Sequence, residues 1–159
     1  MPDTQAVSNV AERTITVVRT FDGSREQLWK AWTDPAEFSC WAGCDGHSIP
    51  ESFITIDLRP GGAFNFTMVN DATGEKYPST ATYREIVEPE RLVWSFAGPT
   101  EEVVVTMTLT DLGDGRTEMY FRQVGFGPED FEAGLRDSRA GHAEEIDKLA
   151  AYLTAARVG

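Results

Sequence analysis

The chain is poor in cysteine and histidine, with two of each among its 159 residues. Cys40 and Cys44 lie so close together that a bridge between them would close a short loop and constrain little of the unfolded chain. The cysteine content therefore does not indicate an oxidising compartment. At this length one domain can bury a sizeable core without disulfides or metals.

Basic residues are also scarce. The chain has 14 lysines and arginines and 26 acidic side chains, which gives a formal net charge of −12. A surface of this charge repels polyanions on average. We therefore expect no nucleic-acid partner and no binding to anionic membranes.

Long apolar runs and common catalytic motifs are absent from the sequence. Residues 1–20 have no apolar stretch after a basic start, and no later segment is long enough to cross a bilayer, so we expect a soluble, cytoplasmic protein. Gly61-Gly62 and Gly125-x-Gly127 lack the strand-then-helix context of nucleotide-binding loops and are interpreted as turns. There is no Gly-x-Ser-x-Gly or His-Glu-x-x-His sequence, and nothing predicts a cofactor.

Two helix-start signals and five large aromatic residues occupy residues 19–41. Ser24 precedes Gln27 by three residues, the spacing of a capping box, and Asp34 followed by Pro35 repeats a helix start. Two short helices are therefore predicted, meeting near Thr33. They carry more aromatic surface than a short helical hairpin needs for its own support, in Trp29, Trp32, Phe38 and Trp41.

The rest of the chain up to residue 124 has strand character, with alternating apolar residues separated by turn sequences. Seven strands are predicted, at residues 13–21, 52–58, 64–69, 75–87, 92–96, 103–109 and 117–121. Pro78 within the fourth strand favours an edge position or a bulge. Residues 1–12 lack periodicity and are predicted to form a frayed tail, followed by a single domain over residues 13–157.

After residue 128 the apolar period changes from two to three or four residues, which predicts a long amphipathic C-terminal helix. Its apolar stripe contains His142, Ile146, Leu149 and Leu153. A twisted antiparallel sheet with one apolar face and a single long helix is expected to curl around that helix. The predicted class is therefore α+β.

The order of FDGSREQLWKAWTDPAEF, LRPGGAFNF, GEKYPSTATYREIVEPERLVWSF and AGHAEEIDKLAAYL resembles the Aha1 C-terminal-like branch of the START/Bet v 1 (SRPBCC) superfamily. The resemblance extends over roughly residues 13–155. It implies a helix-grip fold: a seven-stranded curved antiparallel sheet around the C-terminal helix, with two short helices between strands one and two that close one end of a cavity. In this superfamily the cavity serves ligand binding or, in some members, catalysis.

The sequence departs from the family pattern in two places. Residues 40–44 read Cys-Trp-Ala-Gly-Cys where members usually have paired tryptophans followed by Gly-Pro. The last helix has His142 where members usually have tryptophan. Loss of that indole is expected to enlarge the cavity or admit water, in a volume of roughly 300 to 1,000 Å³ that suits a lipid, a polyketide or an aromatic metabolite.

The candidate ligand-binding residues are mostly aromatic residues and methionines predicted to face the interior. They are Trp32, Trp41, Phe64, Phe66, Met68, Tyr83, Trp94, Met107, Met119, Phe121, Phe131, His142 and Ile146. The same residue types also fill ordinary cores, and only the family resemblance favours a cavity.

His142 is the one catalytic candidate, because a neutral imidazole on the inner stripe can hydrogen-bond a ligand oxygen or move a proton. The alternative is a buried histidine satisfied by a carbonyl, a tyrosine or a water. Cys40, Cys44 and His47, with Asp45 between them, form a weak metal-ligand pattern, and no metal is predicted because a fourth ligand is not evident.

Three functions remain open from the sequence. The first is binding of a small apolar or aromatic molecule between the sheet and the C-terminal helix. The second is a cyclase- or dehydratase-like enzyme that uses His142 as acid or base. The third, by analogy with the family name, is a module that interacts with an Hsp90-type chaperone. A homodimer is possible, but no sequence feature specifies one.

Overall fold

The computed structural model describes residues 5–9, 14–43, 46–97, 102–125 and 145–155 of the chain. Within these ranges nine strands form one antiparallel sheet, accompanied by three α-helices. The helices are α1 (Arg25–Thr33), α2 (Pro35–Trp41) and α3 (residues 145–155). The strands are β1 (Gln5–Asn9), β2 (Thr14–Asp22), β3 (His47–Ser48), β4 (Ile54–Ile56), β5 (Ala63–Asn70), β6 (Lys76–Val87), β7 (Arg91–Ala97), β8 (Glu102–Gly113) and β9 (Arg116–Val124).

Both short helices begin where the sequence predicts. The Ser24 hydroxyl accepts a hydrogen bond from the Gln27 amide at 3.2 Å, and the Gln27 side chain accepts one from the Ser24 amide at 2.9 Å. The Asp34 carboxylate accepts from the Ala36 amide at 2.9 Å, with Pro35 at the first helical position. These bonds satisfy amides that have no partner inside the helix, so the capping box and the second helix start are confirmed.

The sheet has the order β1-β2-β9-β8-β7-β6-β5-β3, with β4 also pairing with β5. Strands β2 and β4 to β9 correspond to the seven predicted strands. The pairing of β2 with β9 brings the first and last long strands together and curls the sheet. The predicted fold class, a curved antiparallel sheet with a C-terminal helix, is confirmed.

Two predicted segments, the tail and the strand at residues 52–58, differ from the structure in detail. Residues 5–9 of the predicted frayed tail form β1, which pairs with β2 and so covers backbone groups that an edge strand would leave open. The predicted strand at residues 52–58 is shorter, because a 3₁₀ turn at Glu51–Phe53 precedes β4. That turn is closed by the Phe53 amide, which donates to the Pro50 carbonyl at 2.9 Å.

Pro78 lies at an edge, as predicted. It pairs with Thr67 of β5, but the described pairing of β6 with β7 begins at Thr82. Proline has no amide hydrogen to donate. This stretch of β6 tolerates it because the described residues form no hydrogen-bond ladder with β7 at that point. A register shift between Tyr83 and Glu85 bends β6 further along.

Helix α3 packs its apolar side against the interior and is held at its rim by polar contacts. Ile146, Leu149 and Leu153 are buried in the same core cluster as the sheet residues. Asp147 forms an ion pair with Arg19 of β2 at 3.0 Å, and the Tyr152 hydroxyl donates to the Glu37 carboxylate of α2 at 3.0 Å. The helix is therefore attached both to the sheet and to α2.

None of the helices in the described part of the chain is long and apolar enough to span a bilayer.

Candidate functional site: an aromatic cavity

A cavity of about 150 Å³ lies between the inner face of the sheet, α1, α2 and the start of α3. Most of its wall is aromatic or aliphatic, and three polar side chains complete it. The described lining residues are Trp32, Phe38, Phe64, Phe66, Ser79, Ala81, Trp94, Phe96, Val105, Phe121, Gln123 and Glu145.

Trp32 of α1 is the centre of the aromatic wall. Its ring centroid lies 5.8 Å from that of Trp94, 6.2 Å from that of Phe38 and 6.3 Å from that of Phe121. Phe64 meets Trp94 edge to face at 5.4 Å. Aromatic pairs in such tilted and edge-on arrangements hold one another in place, so the wall is pre-formed.

Strand alternation supplies the sheet side of the cavity. Phe64 and Phe66 lie two residues apart on β5, and Trp94 and Phe96 do so on β7, so each pair faces the same side of the sheet. Phe64 is opposite Ala81 on β6, and the small alanine side chain leaves space beside the ring. The volume therefore depends on an alanine among large neighbours.

The polar lining groups come from three separate elements. Ser79 belongs to β6, Gln123 belongs to β9 and is 4 % exposed, and Glu145 is the first described residue of α3. Among the described lining residues Glu145 is the one ionisable group. A largely apolar cavity with a few polar groups is typical of small-molecule sites.

Glu145 is positioned by the loop after α2. Its carboxylate accepts a hydrogen bond from the Gly43 amide at 3.1 Å, and Lys148, one turn later, donates to the Gly43 carbonyl at 2.6 Å. Both backbone groups of Gly43 are thus bonded by α3. This double contact fixes the helix and the loop relative to one another beside the cavity.

Two buried polar atoms at or near the cavity have no hydrogen-bond partner within the described part of the chain. They are Trp32 Nε1 and the Tyr83 hydroxyl oxygen. Trp32 lines the cavity, whereas Tyr83 stacks on Phe64 at 5.4 Å behind the cavity wall. Burial raises the pKa of the Tyr83 phenol above its ordinary value. Tyr83 is therefore a neutral core residue.

With the geometry established, comparison with known proteins identifies the family. Residues 22–154 match the family described as "Activator of Hsp90 ATPase homolog 1-like protein". The chain belongs to this family. Among curated proteins none matches the chain by sequence.

Solved structures share the fold of this Aha1-like chain over nearly its whole length. A crystal structure of a Nitrosomonas europaea protein is 21 % identical, with a TM-score of 0.82, covering 94 % of this chain and 99 % of that one. A Mycobacterium smegmatis protein is 23 % identical, with a TM-score of 0.81, covering 96 % and 98 %. A Silicibacter pomeroyi protein titled AHSA1 is 22 % identical, with a TM-score of 0.71, covering 89 % and 97 %.

The residues predicted to bind a ligand in this Aha1-like domain separate into four groups. Trp32, Phe64, Phe66, Trp94 and Phe121 line the cavity. Trp41 and Ile146 line a neighbouring void of about 20 Å³, together with Trp32, Phe121 and Glu145. Met68, Tyr83, Met107 and Met119 line neither of these two voids. Phe131 and His142 lie outside the described residues.

Alternation identifies the face of the sheet on which a side chain lies, but not its depth. Met107 and Met119 are fully buried in the core cluster, and neither lines the two voids. Met68 is only partly buried and packs against the core from its margin.

Several cavity residues were missed from the sequence. They are Ser79, Ala81, Val105, Gln123 and Glu145. Gln123 continues the inward series of β9 from Phe121 and was detectable by alternation. Ala81 and Glu145 carried no signal, because a small residue or a charged helix residue acquires this role only through its neighbours in space.

Only two of the four residues in the weak metal-ligand pattern lie within the described residues. Cys40 is exposed on α2 and its thiol donates to the Ala36 carbonyl, and the ring of His47 lies 5.8 Å from that of Tyr77. Cys44 and Asp45 lie outside the described residues. Within the described ranges no group of three histidine, cysteine or acidic side chains is arranged to hold a metal ion.

Proposed function

We propose that the protein binds a small apolar or aromatic molecule in the aromatic cavity. The observation that carries this proposal is a cavity of about 150 Å³ lined by large aromatic rings. Protein interiors are otherwise close-packed, with few voids larger than a water molecule.

The volume narrows the range of ligands. It is below the roughly 300 to 1,000 Å³ that is typical of drug-sized ligands and that the sequence led us to expect. Apolar cavities of about 150 Å³ accept a single benzene ring. A one-ring aromatic molecule is therefore a better candidate than a lipid or a polyketide.

Toluene is a suitable first probe because it fits this volume and has no polar group. We expect it to raise the melting temperature and to quench or shift tryptophan fluorescence, since Trp32 and Trp94 line the cavity. A ligand at about 100 times its Kd stabilises the folded state by about 2.7 kcal/mol.

Two variants of one strand locate the binding. Ala81→Leu places a larger side chain inside the cavity and should abolish the toluene response. Thr80→Leu is the matched control, because Thr80 is the exposed neighbour on the opposite face of β6, and it should leave the response intact. The absence of any response in the unmodified protein, or an equal response in Ala81→Leu, would contradict the proposal.

The catalytic alternative rests on His142, which lies outside the described residues, and it stays a prediction. It requires turnover whose pH dependence disappears in His142→Ala while ligand binding persists. The chaperone alternative also stays a prediction, and stimulation of an Hsp90-type ATPase by the purified protein is its test.

A further inference from the structure

Trp32 and Trp41, which both line the small void, differ in whether their indole N–H groups have a hydrogen-bond acceptor. The rings of Trp32 and Trp41 are 4.8 Å apart. Trp41 Nε1 donates to the Ala31 carbonyl at 3.0 Å, whereas buried Trp32 Nε1 has no acceptor within the described part of the chain. A buried donor without a partner lowers the stability of the folded state. The Trp32 indole is thus a hydrogen-bond donor available to a guest.

The neighbouring void lies where such a guest would place a polar atom. Its volume is about 20 Å³, which is enough for one water molecule or one hydroxyl group. Trp32, Phe121 and Glu145 line both this void and the larger cavity, so the two spaces adjoin. The small void is therefore lined by one residue that carries an indole donor and by another that carries a carboxylate, at the edge of an apolar cavity.

We infer that the cavity recognises a single-ring phenol. The ring occupies the larger cavity, and the hydroxyl group enters the small void, accepts a hydrogen bond from Trp32 Nε1 and donates one to the Glu145 carboxylate. This inference rests on the proposed binding function and adds the chemical class of the ligand. A phenolic hydroxyl matches the site because it donates and accepts at one atom.

The same two residues discriminate against other single-ring molecules. Benzene leaves the Trp32 donor without an acceptor. Benzoate brings a second carboxylate beside Glu145 and has no proton to donate to it, in a chain of net charge −12. A carboxylate accepts several hydrogen bonds, so binding of the phenol retains the Glu145 contact with the Gly43 amide.

The inference is tested by comparing phenol with benzene, which differ only in the hydroxyl group. In the unmodified protein we expect phenol to shift the ¹H–¹⁵N resonance of the Trp32 indole, because the phenol oxygen accepts a hydrogen bond from it. Benzene has no acceptor atom and forms no such bond. The resonance of Trp41 serves as the internal control, because its N–H is already bonded to Ala31. This measurement needs no variant to fold.

Affinities in two variants test the roles of the two polar groups. Trp32→Phe removes the donor but retains an aromatic ring, and it should reduce the preference for phenol over benzene about tenfold. Glu145→Gln keeps the shape and an acceptor oxygen, and it should reduce the preference by a smaller factor. Benzoate is expected to bind more weakly than either neutral molecule in the unmodified protein.

The outcomes separate this inference from the proposed function. If benzene binds but phenol is not preferred, or if the preference persists unchanged in Trp32→Phe, the phenol assignment is overturned and the binding cavity stands. If the Trp32 resonance does not respond to bound phenol, the assignment is also overturned. If neither molecule binds, both the assignment and the binding function proposed for single-ring aromatics are refuted.

Discussion

Filling the cavity at Ala81 is expected to stabilise the protein. Ala81 is 8 % exposed, lies opposite Phe64 in the sheet and lines the cavity of about 150 Å³. Leucine at this position adds three carbon atoms that point into open space. In a close-packed core the same change normally destabilises, so the sign of the effect reports whether the space exists.

The size of the effect follows from the added apolar groups. Three carbons buried at about 0.8 kcal/mol each contribute about 2.4 kcal/mol. Restricting the leucine rotamers costs about 0.5 to 1 kcal/mol, which leaves about 1.5 kcal/mol of added stability. For a domain of this length that corresponds to a rise in melting temperature of about 3 to 6 °C.

Urea unfolding followed by circular dichroism measures this free energy, and Ala31→Leu provides the control. Ala31 is also buried, at 0 % exposure, but it lines neither of the two voids at the site. The extra carbons at position 31 should therefore destabilise by about 1 to 3 kcal/mol. A loss of stability in Ala81→Leu comparable to that of Ala31→Leu would refute the cavity.

Two further predictions concern stability. Tyr83→Phe removes a buried hydroxyl without a partner among the described residues and should leave the free energy of unfolding unchanged or raise it by up to about 1 kcal/mol at neutral pH. Because burial raises the pKa of the Tyr83 phenol, the folded state holds the phenol proton more tightly than the unfolded state does. The stability that this difference contributes is fully present below about pH 10, the pKa of tyrosine in the unfolded chain, and is lost at higher pH. Urea unfolding across this range should show a shallower alkaline decline in Tyr83→Phe, and an identical decline would contradict the assignment. Ser24→Ala removes the α1 cap and should cost about 1 kcal/mol, whereas Ser24→Asp should retain most of it, and equal losses would contradict a capping role.

The helices and strands were predictable because their signals act between residues that are near in sequence. Ser24 and Gln27 are three residues apart, and the capping box they form involves no other element. The turn at Gly113, Asp114 and Gly115, where all three residues have positive φ, likewise depends on its own composition, because glycine and aspartate favour that conformation. The predicted strand at residues 52–58 was too long, because its propensity did not reveal the 3₁₀ turn that follows Pro50.

The candidate site was only partly predictable. Alternation correctly placed Phe64, Trp94 and Phe121 on the inner face, and all three line the cavity. It placed Met107 and Met119 on the same face, but both are fully buried in the core cluster and line neither of the two voids. Side-chain period determines the face of a sheet, and it contains no information about which part of the face a helix will cover.

The amino-acid sequence alone determined the family, the order of the seven predicted strands and the helices, and the aromatic character of the interior, because each depends on composition or on spacing along the chain. Tertiary packing decided the volume beside Ala81, the buried Trp32 indole without an acceptor among the described residues and the place of Glu145 at the cavity. These properties arise where α1, β6 and α3 meet. The elements are far apart in sequence, so no local pattern specifies the space between them.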